Sequence, residues 1–168
     1  MSKYSEVAGD EDNRPNDVRP RVDETDRRIL QVLAVEARLP NNALAERVGI
    51  APSTCLVRVR AMVASGVIKG FYTDIDTEAL GHPLEAIIAV RLQVDARDVI
   101  QPFAKRLASM TEVQNVFIVA GGADFFVRVA TRDTAELRHF VLHNLSESPE
   151  VASTETNVIL EQFHVQRI

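Results

Sequence analysis

Three neighbouring strings, DETDRRIL (residues 23–30), NNALAERVG (residues 41–49) and PSTCLVRVR (residues 52–60), predict three short helices in close succession. Asp23 is suited to cap the first helix, because its carboxylate can accept hydrogen bonds from the free N–H groups of the first turn. Gly49 is suited to end the second helix, because glycine adopts a positive φ at little cost. Three helices with tight breaks are typical of a helix-turn-helix, whose last helix lies in the major groove of DNA.

The second and third helices have end signals of their own. Asn41 or Asn42 can cap the second helix, and Pro52 is tolerated in the first turn of the third. We expect the third helix to run to about Ser65. The sequence VIKGFYTDI (residues 67–75) then predicts a strand, which would form the wing of a winged helix-turn-helix.

Charge is distributed unevenly along the chain. Residues 23–72 carry seven basic and five acidic side chains, whereas residues 73–168 carry eight basic and fourteen acidic side chains. The net charge of the whole chain is -5. No acidic residue lies between Glu46 and Asp74, while four basic residues do: Arg47, Arg58, Arg60 and Lys69. Because phosphate is repelled by carboxylates, this segment is the natural candidate for a nucleic-acid face.

Composition excludes several other classes of protein. No apolar run is long enough to span a bilayer and the acidic N-terminus does not resemble a signal peptide, so we expect a cytoplasmic protein without a membrane partner. A single cysteine, Cys55, excludes an internal disulfide. His139 and His143 have metal-binding spacing, but a third ligand is not evident and a solvated helix face is the better interpretation. We predict no catalytic residues and no metal site.

Composition shifts divide the chain into four segments. These are a disordered arm (1–22), a winged helix-turn-helix domain (23–76), a hinge (77–84) and a second domain (85–168). Arg19 and Arg21 in the arm could reach toward a minor groove, although a solvated tail fits the polar composition better.

The second domain has the alternating pattern of a sheet. Strands are predicted at residues 85–94, 113–120, 125–131 and 154–165, with helices after the first and third strands. Asp133 and Glu136 have the spacing of a capping box at the start of the second of these helices. The order is βαββαβ, a ferredoxin-like (ACT-like) fold, and the whole chain is of the α+β class.

Helices in such a fold cover only one face of the sheet. The other face is also apolar here, because it carries Ile87, Ala89, Phe117, Val119 and Phe126. An apolar uncovered face predicts self-association, sheet to sheet, in a symmetric dimer.

The chain resembles the leucine-responsive regulator/asparagine regulator (Lrp/AsnC) family of feast/famine regulators. The resemblance covers roughly residues 23–165 and is carried by DRRIL (26–30), AERVGIAPSTCLVRVR (45–60) and GVIKGF (66–71), followed by the βαββαβ half, which resembles the family's amino-acid-sensing domain. Within the family, GIAPSTCL (49–56) and GVIKGFYTDID (66–76) are similar to an actinobacterial branch that regulates alanine dehydrogenase.

The resemblance implies that the third helix reads DNA. Ser53 and Thr54 would approach bases or phosphates, and Arg58 and Arg60 would contact guanine edges or the backbone. The full set of expected DNA-binding residues is Pro52, Ser53, Thr54, Arg58, Arg60, Arg47 and Lys69. Cys55, Val59 and Met62 share a helical face and are expected in the core, which disfavours a redox role for the thiol.

The family's effector pocket matches the turn Gly121-Gly122-Ala123-Asp124. Glycine lets backbone N–H groups approach the carboxylate of an amino acid, and aspartate can accept from its ammonium group. Four further residues correspond to positions near that pocket: Ile118, Thr134, Asn157 and Val158. Without the resemblance, Gly121–Asp124 would be interpreted as an ordinary hairpin turn. We expect a small amino-acid effector and no other cofactor.

The resemblance therefore implies a regulator of amino-acid metabolism that binds double-stranded DNA, in which four dimers form an octameric ring. Two alternatives remain. One is an enzyme similar to sirohaem decarboxylases, which the intact third helix disfavours. The other is an architectural DNA-binding protein with weak sequence preference and no effector, which the small positive charge of the first half leaves open.

Overall fold

The computed structural model describes residues 22–163, which divide into two compact units at Thr73/Asp74. Apart from Val22, the predicted arm lies outside the described residues, as do Arg19 and Arg21 and the last two residues of the predicted fourth strand. Within the described part of the chain, no helix is long and apolar enough to cross a bilayer.

The first unit contains the three predicted helices, α1 (Glu24–Val35), α2 (Asn41–Val48) and α3 (Pro52–Ala64). They enclose a small core whose buried members are Ile29, Leu44, Ala45, Val48, Cys55 and Met62. The expected core positions of Cys55 and Met62 are confirmed, and burial raises the pKa of the Cys55 thiol. The α2 helix ends as predicted at Gly49, with φ of 76°.

The start of α1 is a reciprocal capping box. The Asp26 amide donates to Asp23 Oδ1 at 2.8 Å, and the Asp23 amide donates back to Asp26 Oδ2 at 3.2 Å. Two backbone donors that would otherwise lack a partner are thereby satisfied. The predicted cap by Asp23 is confirmed, and the Asp26 carboxylate forms the second hydrogen bond of the capping box.

The prediction that Asn41 or Asn42 caps α2 is wrong. The cap position is occupied by Pro40, which makes no side-chain cap, and α2 begins at Asn41 itself. The Asn41 Nδ2 instead donates to the carbonyl oxygen of Pro52 at 2.9 Å. The asparagine therefore joins the start of α2 to the start of α3.

The predicted wing strand at residues 67–75 is also wrong. The amide of Ile68 donates to the carbonyl oxygen of Met62 at 3.0 Å, which closes the turn after α3, and residues 69–76 continue without regular structure. A strand requires a neighbour to pair with. Among residues 22–163, all four strands belong to the sheet of the second unit, so this segment has no strand partner.

The second unit confirms the βαββαβ order. Its elements are β1 (Leu84–Leu92), α4 (Ile100–Ala108), β2 (Val113–Ile118), β3 (Phe125–Thr131), α5 (Thr134–Phe140) and β4 (Val151–Val158). The strands form one antiparallel sheet in the order β2-β3-β1-β4. A 3-10 turn precedes α4, and a π-helical turn, Val141–Ser146, continues α5.

The fourth strand begins and ends earlier than its predicted range of 154–165. Its register with β1 runs from Leu92 opposite Val151 to Ala86 opposite Val158. The Ile159 amide makes one further bond, to the Glu85 carbonyl oxygen at 2.9 Å. Because β1 begins at Leu84, the ladder has no partner for the later residues, whatever their β propensity.

The helices cover one face of the sheet, where β1 and β3 contribute an alternating set of buried side chains. These are Ala86, Ile88, Val90, Leu92, Phe125, Val127 and Val129, against Phe103 and Leu107 of α4 and Leu137 and Phe140 of α5. On the other face, Phe117 pairs across the sheet with Phe126, and Phe126 with Ala89. Phe117 and Phe126 remain 54% and 40% exposed in this single chain.

Candidate DNA-binding and effector sites

The outward face of α3 is set by its buried face. Cys55 has no exposure, and successive residues of a helix are separated by about 100° around the axis. Ser53, Val57 and Arg60 therefore point away from the core, and all three are exposed. Pro52 and Thr54 are also exposed, in the first turn of α3. Four of the predicted DNA-binding residues thus lie on or beside one solvent-facing surface.

Arg58 has a different orientation, toward α1. Its Nη1 donates to Asp23 Oδ2 at 2.7 Å and to Asp26 Oδ1 at 2.9 Å. The hydrogen bonds to these carboxylates raise the pKa of Arg58 further above its usual range. Conversely, the Asp26 amide and then Arg58 hold the pKa of Asp23 below its ordinary value. The Arg58 guanidinium is therefore engaged within the protein, and a DNA contact would compete with these ion pairs.

Two more predicted DNA-binding residues lie away from the outward face of α3. Arg47, in the last turn of α2, forms an ion pair with Glu36 that raises its pKa. Lys69 is exposed in the segment that follows α3. Contact of either residue with DNA therefore stays a prediction.

The turn between β2 and β3 is anchored to the end of β1. The Asp124 amide donates to the Val90 carbonyl oxygen at 2.9 Å, and Asp124 Oδ2 accepts from the Leu92 amide at 2.8 Å. Gly121 has a φ of 148°, which other residues rarely adopt. The aspartate therefore has a structural role in addition to the predicted effector role.

A small cavity lies beside this turn, with a volume of about 150 Å³. It is lined by Arg91, Leu92, Gln93, Val94, Ile100, Gly121, Gly122 and Asp124. Sequence analysis missed five of these residues, which lie at the end of β1, just after it and at the start of α4: Arg91, Leu92, Gln93, Val94 and Ile100. The available signal was the charge of Arg91, which interrupts the apolar run from Ala86 to Leu92.

The other predicted effector residues do not line this cavity. Ile118 ends β2 close to the turn, but Thr134 begins α5 and follows the far end of β3. Asn157 and Val158 lie on β4, at the opposite edge of the sheet from β2, beside a separate concavity of about 720 Å³. Within one chain the predicted effector set thus separates into two groups.

The histidine pair also has partners within the protein. The ring centroids of His139 and His143 lie 4.2 Å apart, and His143 Nδ1 is 2.9 Å from Glu147 Oε2. In the part of the chain that the structure describes, no three His, Cys, Asp or Glu side chains come together as a metal site would require.

Comparison with known proteins agrees with both halves of this description. Residues 22–69 match a winged helix-turn-helix DNA-binding model, and residues 85–167 match the Lrp/AsnC ligand binding domain. The transcriptional regulator AldR of Mycobacterium tuberculosis is 53% identical over 148 residues, which cover 88% of this chain and 83% of the relative. The chain belongs to the Lrp/AsnC family. AldR of Mycolicibacterium smegmatis is 50% identical over 97% of this chain and 96% of its own length.

Solved structures of similar transcriptional regulators match both units of the chain. The crystal structure of MtbAldR has a TM-score of 0.76 at 44% identity and covers 92% of this chain and 99% of that one. A transcriptional regulator of Neisseria meningitidis, in complex with L-Met, has a TM-score of 0.79 at 30% identity, with coverage of 87% and 94%. These similarities identify the chain as a helix-turn-helix transcriptional regulator and confirm its similarity to the AldR branch.

Proposed function

We propose that this regulator binds promoter DNA through the outward face of α3 and that a small amino acid, bound at the Gly121–Asp124 turn, changes its affinity for DNA. The observation that carries the proposal is the cavity at which the Asp124 carboxylate meets two glycines. As a DNA-binding regulator of metabolic genes, the chain would act in the cytoplasm.

The chemistry of the cavity suits a small zwitterion. A volume of about 150 Å³ is well below the roughly 300–1,000 Å³ of sites for drug-sized ligands. Within the described residues, Asp124 Oδ1 accepts no hydrogen bond, so it is available to an ammonium group. The two glycines let backbone N–H groups approach a carboxylate. A ligand as large as a tetrapyrrole does not suit this cavity.

Assembly of several copies would complete the site. The exposed phenylalanines of the uncovered sheet face support a sheet-to-sheet dimer, because burying them removes apolar area from water. A ring of four such dimers would let the turn of one copy meet Thr134, Asn157 and Val158 of another. That arrangement would explain why the predicted effector residues are separated within one chain.

Effector control would follow from the two halves of the molecule. A dimer presents two copies of α3 to half-sites about one or more helical turns apart. An amino acid bound between dimers can alter DNA affinity only if it binds two arrangements of the oligomer with different affinity. The resulting coupling free energy is typically about 1–3 kcal/mol.

The test is a fluorescence-anisotropy titration of the full chain against DNA from upstream of its own gene. A scrambled fragment is the control, at near-physiological salt, with and without pooled amino acids. We expect tighter binding to the native fragment and a changed affinity in the pool. Equal weak binding to both fragments, unaffected by the pool, would contradict the proposal and favour an architectural protein. Absorbance changes with added tetrapyrrole would favour the enzyme.

A further inference from the structure

Val57 is an apolar side chain that α3 presents to solvent. It is 67% exposed and lies about 200° around the helix from the fully buried Cys55. The helix contributes Cys55 and Met62 to the core, with Val59 packed against it. Val57 is directed away from this core, so packing among residues 22–163 does not account for a branched apolar residue at this position.

Two neighbours of Val57 on this face of α3 are polar residues suited to DNA. Ser53 lies one turn before it and Arg60 one turn after it, and both are exposed. Arg58, the other basic residue of α3, is drawn toward α1 by its hydrogen bonds to Asp23 and Asp26. The surface offered to a major groove therefore has a hydroxyl, an apolar branch and a guanidinium in successive turns.

Thymine is the base that complements an apolar branch in this position. In the major groove it presents a C5 methyl group, while the other base edges present hydrogen-bond donors and acceptors. Contact with this methyl is a recognised means of distinguishing thymine. A serine or arginine would gain nothing comparable from the methyl.

We propose that Val57 is a specificity-determining residue that contacts the C5 methyl of a thymine in each half-site. The inference rests on the proposed function, because it requires α3 to read DNA. Burial of one methyl contributes about 0.8 kcal/mol, which corresponds to about a fourfold change in affinity for each contacted thymine.

The experiment begins with selection of a binding site from random DNA by the full-length protein. Each thymine of the selected site is then replaced by deoxyuridine, which lacks only the methyl group. Affinities are measured by fluorescence anisotropy for the wild type, Val57→Ala and the control Val63→Ala. Val63 is also exposed on α3, at 47%, but lies about 120° away from Val57.

At one thymine in each half-site, deoxyuridine should weaken the wild type and Val63→Ala about fourfold and leave Val57→Ala unchanged. Val57→Thr, which keeps one methyl group, should retain the discrimination. Equal sensitivity of the wild type and Val57→Ala at every thymine would overturn the inference, as would a selected site whose half-sites lack thymine. If selection enriches no sequence, the proposed function itself fails.

Discussion

Arg58 Nη1 lies 2.9 Å from Asp26 Oδ1, and this ion pair joins α3 to the first turn of α1. The same nitrogen is 2.7 Å from Asp23 Oδ2. Each carboxylate uses its other oxygen in the capping box of α1. One guanidinium therefore joins the capping box of α1 to α3, the helix that we propose reads DNA.

Arg58→Ala tests whether this residue orients α3 or contacts phosphate. We expect the variant to melt at a lower temperature and to bind DNA more weakly, with the same slope of log affinity against log salt concentration, because no phosphate contact is lost. Loss of a phosphate contact would instead reduce the slope by about one. A reduced slope with an unchanged melting temperature would contradict the orienting role.

The contribution of the Arg58–Asp23 ion pair to the stability of the fold should depend on pH. The pKa of Asp23 is held below its ordinary value in the folded chain, first by the Asp26 amide and then by Arg58. A lowered pKa stabilises the fold above the unfolded-state pKa of about 3.9, and this contribution is lost as pH falls through the folded-state pKa. In urea unfolding, the stability difference between wild type and Arg58→Ala should be complete at neutral pH and shrink below about pH 4. A difference that grows toward acid would contradict this sign.

Arg60→Ala should weaken DNA binding without unfolding the protein, because its side chain is exposed on the outward face of α3. A lost base contact would cost about 1–3 kcal/mol and relax the preference at one position. Anisotropy titrations with the selected site provide the measurement. Lys105→Ala on α4 removes the same charge in the other unit and should have little effect. Unchanged affinity of Arg60→Ala would remove this residue from the DNA interface.

Phe126→Glu should separate the proposed dimer, because it introduces a charge into the uncovered face of the sheet. Sedimentation velocity should then show a smaller species than the wild type. Leu142→Glu is the matched control, since Leu142 is 44% exposed, comparable to 40% for Phe126, but follows α5 in the helical layer. Identical sedimentation of Phe126→Glu and wild type would place the self-association elsewhere.

Gly121→Ala and Gly122→Ala compare two adjacent glycines with different backbone requirements. Gly121 has a φ of 148°, whereas a side chain at Gly122 would meet open space at an unstrained φ. We expect Gly121→Ala to cost about 1–3 kcal/mol in urea unfolding and Gly122→Ala much less. Equal effects would show that the backbone of the turn does not depend on the first glycine.

The features predicted correctly from the sequence are those with local causes. Asp23 caps a helix with a residue three positions away, and Gly49 ends one through its own conformation. In β1, buried and more exposed residues likewise alternate, so the sequence pattern indicates which face of the strand lies against the core. The wing strand was predicted wrongly because a strand depends on a pairing partner, which local propensity does not reveal.

The hydrogen-bond partners of side chains at the two sites were harder to predict, because these partners are distant in the sequence. Arg58 reaches Asp23 across 35 positions of sequence, and Asp124 reaches the Leu92 amide across 32. Basic charge in the third helix and a Gly-x-x-Asp turn could be read from the sequence. Folding determines which of these groups are engaged within the protein and which face solvent.

The most direct test of the account measures DNA affinity of the wild type and Asp124→Asn against each amino acid in turn. Asparagine keeps an acceptor for the Leu92 amide but loses the charge that would hold an ammonium group. At least one amino acid should change the wild-type affinity by about 5–150-fold. Asp124→Asn should bind the same DNA equally well and show no response. A wild type indifferent to every amino acid, or a variant that responds like the wild type, would contradict effector control through this turn.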